Sequence, residues 1–466
     1  MEKISRRHFV AATAAAGLVA FGPRQLGAAV SEAAVLEARL QNLQLAPAQY
    51  PQTEIWGYGG QMPGPEIRLT QGQRVRRTLK NSLPQATSVH WHGIRIDNAM
   101  DGVAGLTQRA VKPGEDFDYD FVAPDAGTYW YHSHNRSAEQ VARGLYGALI
   151  VEEPDGPDVD RDEVLVLDDW LLDPETAQID PDFAASHARS HAGRRGNFVA
   201  TNGQYELSLP AIRHQRMRLR IINAANARIF VLALAGLEGW IIALDGMPLA
   251  TPDPVAKEFL LGPGQRVDLI VDVTAEAGET AYLVRLDNDT TSAQVSFPVT
   301  ASGSPARRDA PKALPPNPDQ SVIGLEGAKR ARLAMAGGAM GALKSAVLNG
   351  EEASFRQMAQ ANEFWAFNGV VGMTDTPLVE VSQGQTVRLE ILNDTSFPHA
   401  MHLHGMHFRE ILADGELGSL RDTLMTFAGQ TREIAFVANN PGDWLFHCHM
   451  LSHAESGMMT WLKVVA

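Results

Sequence analysis

The only cysteine of the sequence, Cys448, lies in a short run of residues that can ligate a metal ion. Residues 447–459 read HCHMLSHAESGMM, so that His453 follows the cysteine by five residues and Met458 by ten. A lone cysteine cannot form an intramolecular disulfide, and a thiolate with imidazole and thioether neighbours is a ligand set that copper prefers. Because side chains alternate along a strand, the cysteine should face one way and its two flanking histidines the other. The run therefore predicts two metal environments on opposite faces of one strand.

Pairs of histidines separated by one residue occur four times, twice towards each end of the chain. The pairs are His90/His92, His132/His134, His402/His404 and His447/His449. Gly72 and Gly384 each precede the first histidine of a pair by 18 residues, and Gly114 and Gly429 precede the other two pairs by the same interval. Four matched intervals indicate a duplicated domain. Imidazole suits copper, zinc, iron or nickel, and the cysteine with a methionine nearby narrows the choice to copper.

The elements that must position these side chains are short runs rich in Val, Ile, Leu and Thr between Gly, Pro, Asn and Asp turns. This pattern predicts an all-β protein, and its length is enough for about three domains. We expect domains at 30–152, 160–300 and 346–466, with a linker and lead-in over 301–345. The middle domain carries a weaker copy of the repeat at 216–223 but no histidine pair, which favours a spacer that has no copper ligands and sets the geometry of the outer two domains.

Composition and the N-terminal segment limit the classes of partner and location. The net charge of -14 argues against nucleic-acid binding, and no apolar stretch in the body of the chain is long enough to span a membrane. Residues 1–29 place Arg6 and Arg7 before an Ala-rich run and resemble a twin-arginine signal, which predicts a periplasmic or secreted protein. An unpaired cysteine in such an oxidising compartment needs protection, which metal ligation supplies. We expect a monomer.

The histidine pairs, the cysteine and their spacing resemble those of the three-domain multicopper oxidases, a laccase-like family built from cupredoxin-like Greek-key β-sandwiches. The resemblance covers nearly all of the chain after residue 29 and implies four bound copper ions. It assigns the type 1 copper to His399, Cys448, His453 and Met458, the type 2 copper to His90 and His402, one type 3 copper to His92, His132 and His449, and the other to His134, His404 and His447.

The resemblance also implies the reaction. A reducing substrate gives up one electron at a time at the type 1 copper, and the three-copper cluster reduces dioxygen to water. Electrons are expected to enter through His453, as the ligand nearest the surface, and to leave through Cys448. The reductant is a phenol, an aromatic amine or a metal ion such as Cu(I), Mn(II) or Fe(II); a periplasmic cuprous or manganous oxidase is the specialised alternative. A non-enzymatic scaffold is disfavoured because no ligand position has been lost.

Two carboxylates are candidates for proton supply. Asp101, nine residues after His92, matches the family's acid near the type 2 copper, and the alternative is an ordinary Asp-Gly turn. Many bacterial relatives carry an acid directly after the type 1 histidine, but this chain has Ala454 there and Glu455 one position later. Either Glu455 takes that role through a small shift, or protons arrive by another route.

One further histidine pair lies outside the repeat. His187 and His191 have the i, i+4 spacing of a metal site on a helix. The three residues between them show no apolar period, and a glycine and two arginines follow soon after, which favours an exposed loop.

Overall fold

Residues 33–287, 290–300, 306–318 and 323–466 are described by the computed structural model. Most of the regular structure in these residues is β-strand, arranged as three consecutive cupredoxin-like sandwiches, which confirms the predicted fold class. The expected export signal at residues 1–29 lies outside the described residues. Within the part of the chain that is described, no helix is both long and apolar enough to cross a bilayer.

The first sandwich consists of two four-stranded sheets. Its strands are β1 (Ala34–Leu43), β2 (Thr53–Tyr58), β3 (Gly64–Thr70), β4 (Arg74–Asn81), β5 (Val89–His92), β6 (Asp116–Val122), β7 (Gly127–Ser133) and β8 (Tyr146–Glu152). One sheet has the order β2-β1-β4-β6 and the other β3-β8-β7-β5. A short helix, α1 (Ser137–Gln140), follows β7. Strand β5 contains His90 and His92, and β7 contains His132 and leads directly to His134.

The second sandwich has a six-stranded and a four-stranded sheet. Its strands are β9 (Arg161–Trp170), β10 (Phe198–Thr201), β11 (Arg216–Asn223), β12 (Phe230–Ala235), β13 (Leu237–Leu244), β14 (Met247–Pro254), β15 (Phe259–Leu261), β16 (Arg266–Val273), β17 (Thr280–Asp287) and β18 (Thr290–Pro298). The sheet orders are β10-β9-β11-β16-β13-β14 and β15-β12-β17-β18. The segment expected as a loop around His187 forms a short helix, α2 (Ser186–Ser190), between β9 and β10.

The third sandwich is the largest. Its strands are β19 (Lys329–Gly337), β20 (Ser345–Leu348), β21 (Glu351–Ser354), β22 (Trp365–Phe367), β23 (Val379–Ser382), β24 (Thr386–Asp394), β25 (His399–Leu403), β26 (Phe408–Ile411), β27 (Leu417–Arg421), β28 (Thr423–Thr426), β29 (Thr431–Val437), β30 (Gly442–Cys448) and β31 (Met459–Val465). The sheets are β22-β19-β24-β29-β26-β27, β23-β31-β30-β25-β28 and the hairpin β20-β21. Helices α3 (Phe355–Gln360) and α4 (Leu451–Ala454) complete it. Because β19 pairs with β24, this sandwich reaches back into the expected lead-in at 301–345.

The duplicated intervals of the sequence correspond to the same strand pairing in the outer sandwiches. In the first, β5 runs antiparallel to β7 with His90 opposite His132. In the third, β25 runs antiparallel to β30 with His402 opposite His447. Since side chains alternate between the faces of a strand, this register places both histidine pairs of each sandwich on one face.

Strand β11 shows how the middle sandwich is held between the other two. Its apolar residues alternate with arginines, so that Met217, Leu219 and Ile221 enter the sandwich core while the arginines lie on the opposite face. That face is also buried. Arg218 donates to both carboxylate oxygens of Glu153, at 2.8 and 2.9 Å, and to Asp268 at 2.6 Å. A buried ion group therefore ties the second sandwich to the segment that leaves the first.

Replacing Arg218 by alanine should lower the free energy of unfolding by about 3–5 kcal/mol, because it removes the cation that donates hydrogen bonds to two buried carboxylates. Urea denaturation of the copper-free protein measures the change. Arg109→Ala, which removes an arginine from an exposed pair with Glu115, is the control and should leave stability nearly unchanged. Equal stability of the Arg218→Ala variant and the unaltered chain would contradict the account.

Candidate metal centres

The four histidine pairs meet where the first sandwich faces the third. Rings from the two sandwiches stack on each other, His90 on His404 with centroids 3.9 Å apart and His92 on His402 at 3.8 Å. Seven of the eight side chains are buried, and His134 is half-buried. The structure therefore brings together all eight histidines that the sequence singled out, and neither sandwich provides this cluster alone.

Hydrogen bonds fix which ring nitrogen carries the proton in four of these histidines. Nδ1 lies 2.8–3.0 Å from a backbone carbonyl oxygen, which accepts a hydrogen bond only from a protonated nitrogen. The partners are Asp101 for His90, Ser133 for His132, Asp422 for His402 and Cys448 for His447. Nε2 of each ring is thus unprotonated, and its lone pair points into the space that the rings share.

The arrangement of the lone pairs fits metal ions. His404 donates from Nδ1 to the Asp101 carboxylate at 3.0 Å, so its Nε2 is also unprotonated, yet that atom lies only 3.1 Å from Nε2 of His447. Two facing lone pairs repel unless a cation is bound by them. Three groups of histidines have ligand nitrogens within 4.8 Å of one another: His90/His92/His132, His90/His402/His404 and His134/His404/His447. His449 lies beside the first group, with its ring centroid 4.9 Å from that of His92.

Burial keeps most of these imidazoles neutral, and also those of His399 and His453 near Cys448. Loss of contact with water, reinforced in most of them by neighbouring imidazoles, lowers the pKa of nine histidines in these two groups, and for His453 the pKa falls to about 3. The other eight are His92, His132, His134, His399, His402, His404, His447 and His449. Their nitrogens are therefore available to a metal at neutral pH without first releasing a proton.

Asp101 forms the expected turn and also contacts the cluster. The turn ends at Gly102, whose φ of +83° brings its backbone so close to β5 that an added Cβ would lie 1.8 Å from the carbonyl oxygen of Val89. The carboxylate is buried and lies 3.0 Å from Nδ1 of His404 and 3.3 Å from Nδ1 of His90. The turn places the carboxylate against the two histidines, so Asp101 is both a turn residue and a neighbour of the cluster.

Asp422 is the counterpart of Asp101 in the third sandwich and was missed in the sequence. The backbone carbonyl of Asp101 accepts from His90, and that of Asp422 accepts from His402, each the first histidine of a pair in the same sandwich. Each carboxylate faces the second histidine of the corresponding pair in the other sandwich, Asp101 facing His404 and Asp422 facing His92. Asp422 Oδ1 lies 3.5 Å from Nε2 of His92. The repeat did not reveal it, because His90 and Asp101 are 11 residues apart whereas His402 and Asp422 are 20 apart.

The two aspartates differ in their charge partner. Burial would raise the pKa of Asp422, but the guanidinium of Arg266 from the middle sandwich holds the pKa of that carboxyl well below its usual range. Arg266 is itself fully buried and donates to Asp422 at 2.7 Å and to the carbonyl of Thr128 in the first sandwich at 3.1 Å. One arginine therefore links all three sandwiches beside the cluster.

Cys448 belongs to a separate group on the other face of β30, as the alternation of side chains predicted. Its Sγ lies 3.6 Å from Nδ1 of His399, which in turn lies 3.2 Å from Nδ1 of His453. In the metal-free protein burial raises the pKa of the Cys448 thiol to about 12, and a bound metal would displace its proton. The equivalent residue of the first sandwich, Ser133, bonds instead to Gln140.

The expectation that His453 lies near the surface is wrong. Its side chain is fully buried, because residues 187–191 of the middle sandwich, here named the covering segment, pack over it. Nε2 of His453 lies 2.8 Å from the carbonyl oxygen of His191, and the indole of Trp365 packs on the ring with centroids 4.5 Å apart. Met458 is also buried, and its backbone carbonyl accepts from the amide of Cys448 at 3.1 Å.

Glu455 lies at a junction of all three sandwiches. Its carboxylate accepts from the amide of Ala138 in α1 at 2.8 Å and from Arg189 in α2 at 3.3 Å. Burial raises the pKa of the carboxyl despite the arginine. These two contacts position the carboxylate of Glu455, while Ala454 supplies no acid.

Comparison with known proteins identifies the family. Models of multicopper oxidase domains match residues 39–156, 161–303 and 350–466. The chain belongs to the multicopper oxidase family. The oxidase is 32% identical to multicopper oxidase MmcO of Mycobacterium tuberculosis over 88% of this chain and 82% of that protein. Its fold is similar to that of a multi-copper oxidase from Pseudomonas thermotolerans, with a TM-score of 0.80 and 33% identity over 92% and 98% of the two chains.

A second solved structure extends the similarity. Lac15 from a marine microbial metagenome is 41% identical over 92% of the oxidase and 100% of its own length, with a TM-score of 0.75. Membership of the family confirms the predicted cofactor and reaction class: the oxidase binds copper at type 1, type 2 and type 3 sites and couples the oxidation of a reductant to the reduction of dioxygen.

Asp422→Asn should lower the copper affinity of the histidine cluster about 10–100-fold, because it removes the charge that faces His92 and the carboxylate nearest to Arg266. Copper content after dialysis against a weak chelator measures the loss. Asp120→Asn, which breaks an exposed pair with Arg74, serves as the control. Full copper content in Asp422→Asn would show that the aspartate does not support the cluster.

The metal-free oxidase should become less stable as the pH falls from about 7 to about 5. Unfolded histidines take up protons near a pKa of about 6.5, whereas the buried ones, with lowered pKa values, stay neutral, so acid favours the unfolded state. Each such histidine should lower the free energy of unfolding by about 1.4 kcal/mol for each pH unit below about 6.5. Urea denaturation at the two pH values tests this, and unchanged or greater stability in acid would contradict the neutral state of the cluster.

Proposed function

We propose that twelve side chains of this oxidase hold four copper ions in two separate sets. The type 1 set is His399, Cys448, His453 and Met458, and the three-copper set is His90 and His402 (type 2), His92, His132 and His449 (one type 3), and His134, His404 and His447 (the other). The observation that carries the proposal is the arrangement of unprotonated ring nitrogens around two buried spaces, with hydrogen bonds fixing the opposite nitrogen in most rings. The domain limits 30–152, 160–300 and 346–466 belong to the same proposal.

Copper bound in these sets would accept electrons singly from a reductant and pass four of them to dioxygen, giving water. The chain itself supplies the link between the two sets, because Cys448 is joined by peptide bonds to His447 and His449. Trp365 and the covering segment exclude water from the type 1 set. The core around Cys448 is apolar, which protects the thiolate from other chemistry.

We assign the supply of protons for the reaction to Asp101 and Glu455. The carboxylate of Asp101 is buried, accepts a hydrogen bond from Nδ1 of His404 and lies 3.3 Å from Nδ1 of His90, which donates to the backbone carbonyl of Asp101. Its carboxylate is therefore placed to receive a proton and return it to the space beside the rings. Glu455 accepts a hydrogen bond from α1, a helix that begins shortly after His134 in the sequence. Its raised pKa suits a group that both binds and releases a proton.

The reductant is a phenol, an aromatic amine or a metal ion. The burial of His453 means that no substrate touches this ligand directly, so electrons reach it through the groups that cover it, the covering segment and Trp365. A periplasmic cuprous or manganous oxidase is the second candidate, and the two histidines of the covering segment favour it.

We place the protein in the periplasm or outside the cell, as a monomer exported by the twin-arginine pathway. The support is the sequence of residues 1–29, with its Arg6-Arg7 pair, and the single cysteine, which needs no disulfide partner if it ligates copper.

Oxygen uptake tests the proposed function together with the division of ligands. Copper-loaded protein should consume oxygen with at least one of a phenol, Cu(I), Mn(II) or Fe(II), and Cys448→Ser should abolish both the uptake and the blue absorbance of a cysteine–copper bond. The variant should retain about three of four coppers, since the other set lacks the cysteine.

The matched control is Ser133→Ala, at the equivalent position of the first sandwich, which should keep the blue absorbance. Loss of all four coppers from Cys448→Ser would refute the separation of the two sets. No uptake with any of the four reductants would refute the oxidase function.

A further inference from the structure

The segment that covers His453 is attached to the third sandwich by its backbone. Four consecutive carbonyl oxygens of this segment accept hydrogen bonds of 2.5–3.2 Å from groups of the third sandwich. The acceptors and donors are Ala188 with Ser452 Oγ, Arg189 with Trp365 Nε1, Ser190 with the amide of Ala339, and His191 with His453 Nε2. The backbone of the segment is therefore held over the type 1 set, and the side chains of His187 and His191 take no part in these four bonds.

The side chains of His187 and His191 lie on an open cleft instead. The cleft has a volume of about 520 Å³, and its lining includes both imidazoles, Asp180, Asp182 and the ring of Phe397. The two imidazoles are neighbours, with ring centroids 4.1 Å apart. His187 is exposed and His191 half-buried, so a small solute reaches both from water.

The chemistry of the cleft suits a transition-metal cation. Imidazoles four residues apart are a recurring pair of metal ligands, and carboxylates at the cleft wall attract positive charge. Two arginines also line the cleft. Arg194 is buried and donates to the carbonyls of Asp182 and Asp180 at 3.0 and 2.6 Å, so its donors are engaged, whereas Arg195 is exposed.

We propose that His187 and His191 bind the reducing metal ion, Cu(I) or Fe(II), whose oxidation the enzyme catalyses. This rests on the proposed function, and it names the substrate class. Four cations each lose one electron, and one dioxygen takes up the four electrons and four protons to give two waters. A direct connection to the type 1 set runs from the His191 ring along its own backbone to the carbonyl that accepts from His453. His187 and His191 are the specificity-determining pair.

Zn(II), which binds imidazole and carries no redox chemistry, is the probe. Calorimetric titration of the copper-loaded protein should show one Zn(II) site that the double variant His187→Ala/His191→Ala lacks. The same variant should raise KM for Cu(I) or Fe(II) by about tenfold or more, the effect of losing two ligands. Because the residue at 191 keeps its backbone carbonyl, the bond to His453 and the blue absorbance should be unchanged. Phenol oxidation should change less than about twofold.

Arg195→Ala is the matched control in the same cleft, and it should not weaken Zn(II) binding. Equal Zn(II) binding in the double variant, or an unchanged KM for the metal ions, would overturn the proposal. A parallel rise in KM for a phenol would also overturn it, in favour of an organic reductant in the cleft. Zn(II) binding requires no turnover, so a protein that binds Zn(II) through these histidines but consumes no oxygen would refute the oxidase function and leave the cation site standing.

Discussion

Unprotonated imidazole nitrogens buried face to face are the constraint on which the rest of this structure depends. A buried polar atom without a partner is unfavourable, and here many such atoms point at one another. The backbone carbonyls that fix the protons on the outer nitrogens make this unavoidable, because they leave only lone pairs on the inner side. The site is therefore complete only with cations, and it forms only if the two outer sandwiches meet in one register.

The middle sandwich enforces that meeting although it provides none of the twelve proposed ligands. Two of its buried arginines bond to the outer sandwiches. Arg218 bonds to Glu153 in the segment that leaves the first sandwich, and Arg266 bonds to Asp422 of the third sandwich and to the carbonyl of Thr128 in the first. A second contribution is the segment around α2, which covers the type 1 set. The sequence predicts a spacer that sets the geometry of the outer two domains, and it does not indicate the cover over the type 1 set.

The sequence predicts those parts of the site that repeat in sequence. Matched intervals placed His90 and His132 as the counterparts of His402 and His447, and alternation along a strand placed Cys448 opposite its neighbours. Asp422 could not be found this way, because the loop before it is longer than the one before Asp101. The burial of His453 was also hidden, since the covering group is a backbone carbonyl, which has no signature in a sequence, from a residue 262 positions away. Helix α2 was missed because contacts with another sandwich, rather than an apolar period, stabilise it.

The cover over His453 has a consequence for how such a protein can diverge. The contact uses the main chain of residue 191, so almost any side chain can occupy that position while the bond to His453 persists. The surface offered to the outside can then change by single substitutions without disturbing the buried ligands beneath it. A family that keeps one electron-accepting core can in this way acquire many different reductants, with the variation confined to a short stretch of a domain that provides none of the twelve proposed ligands.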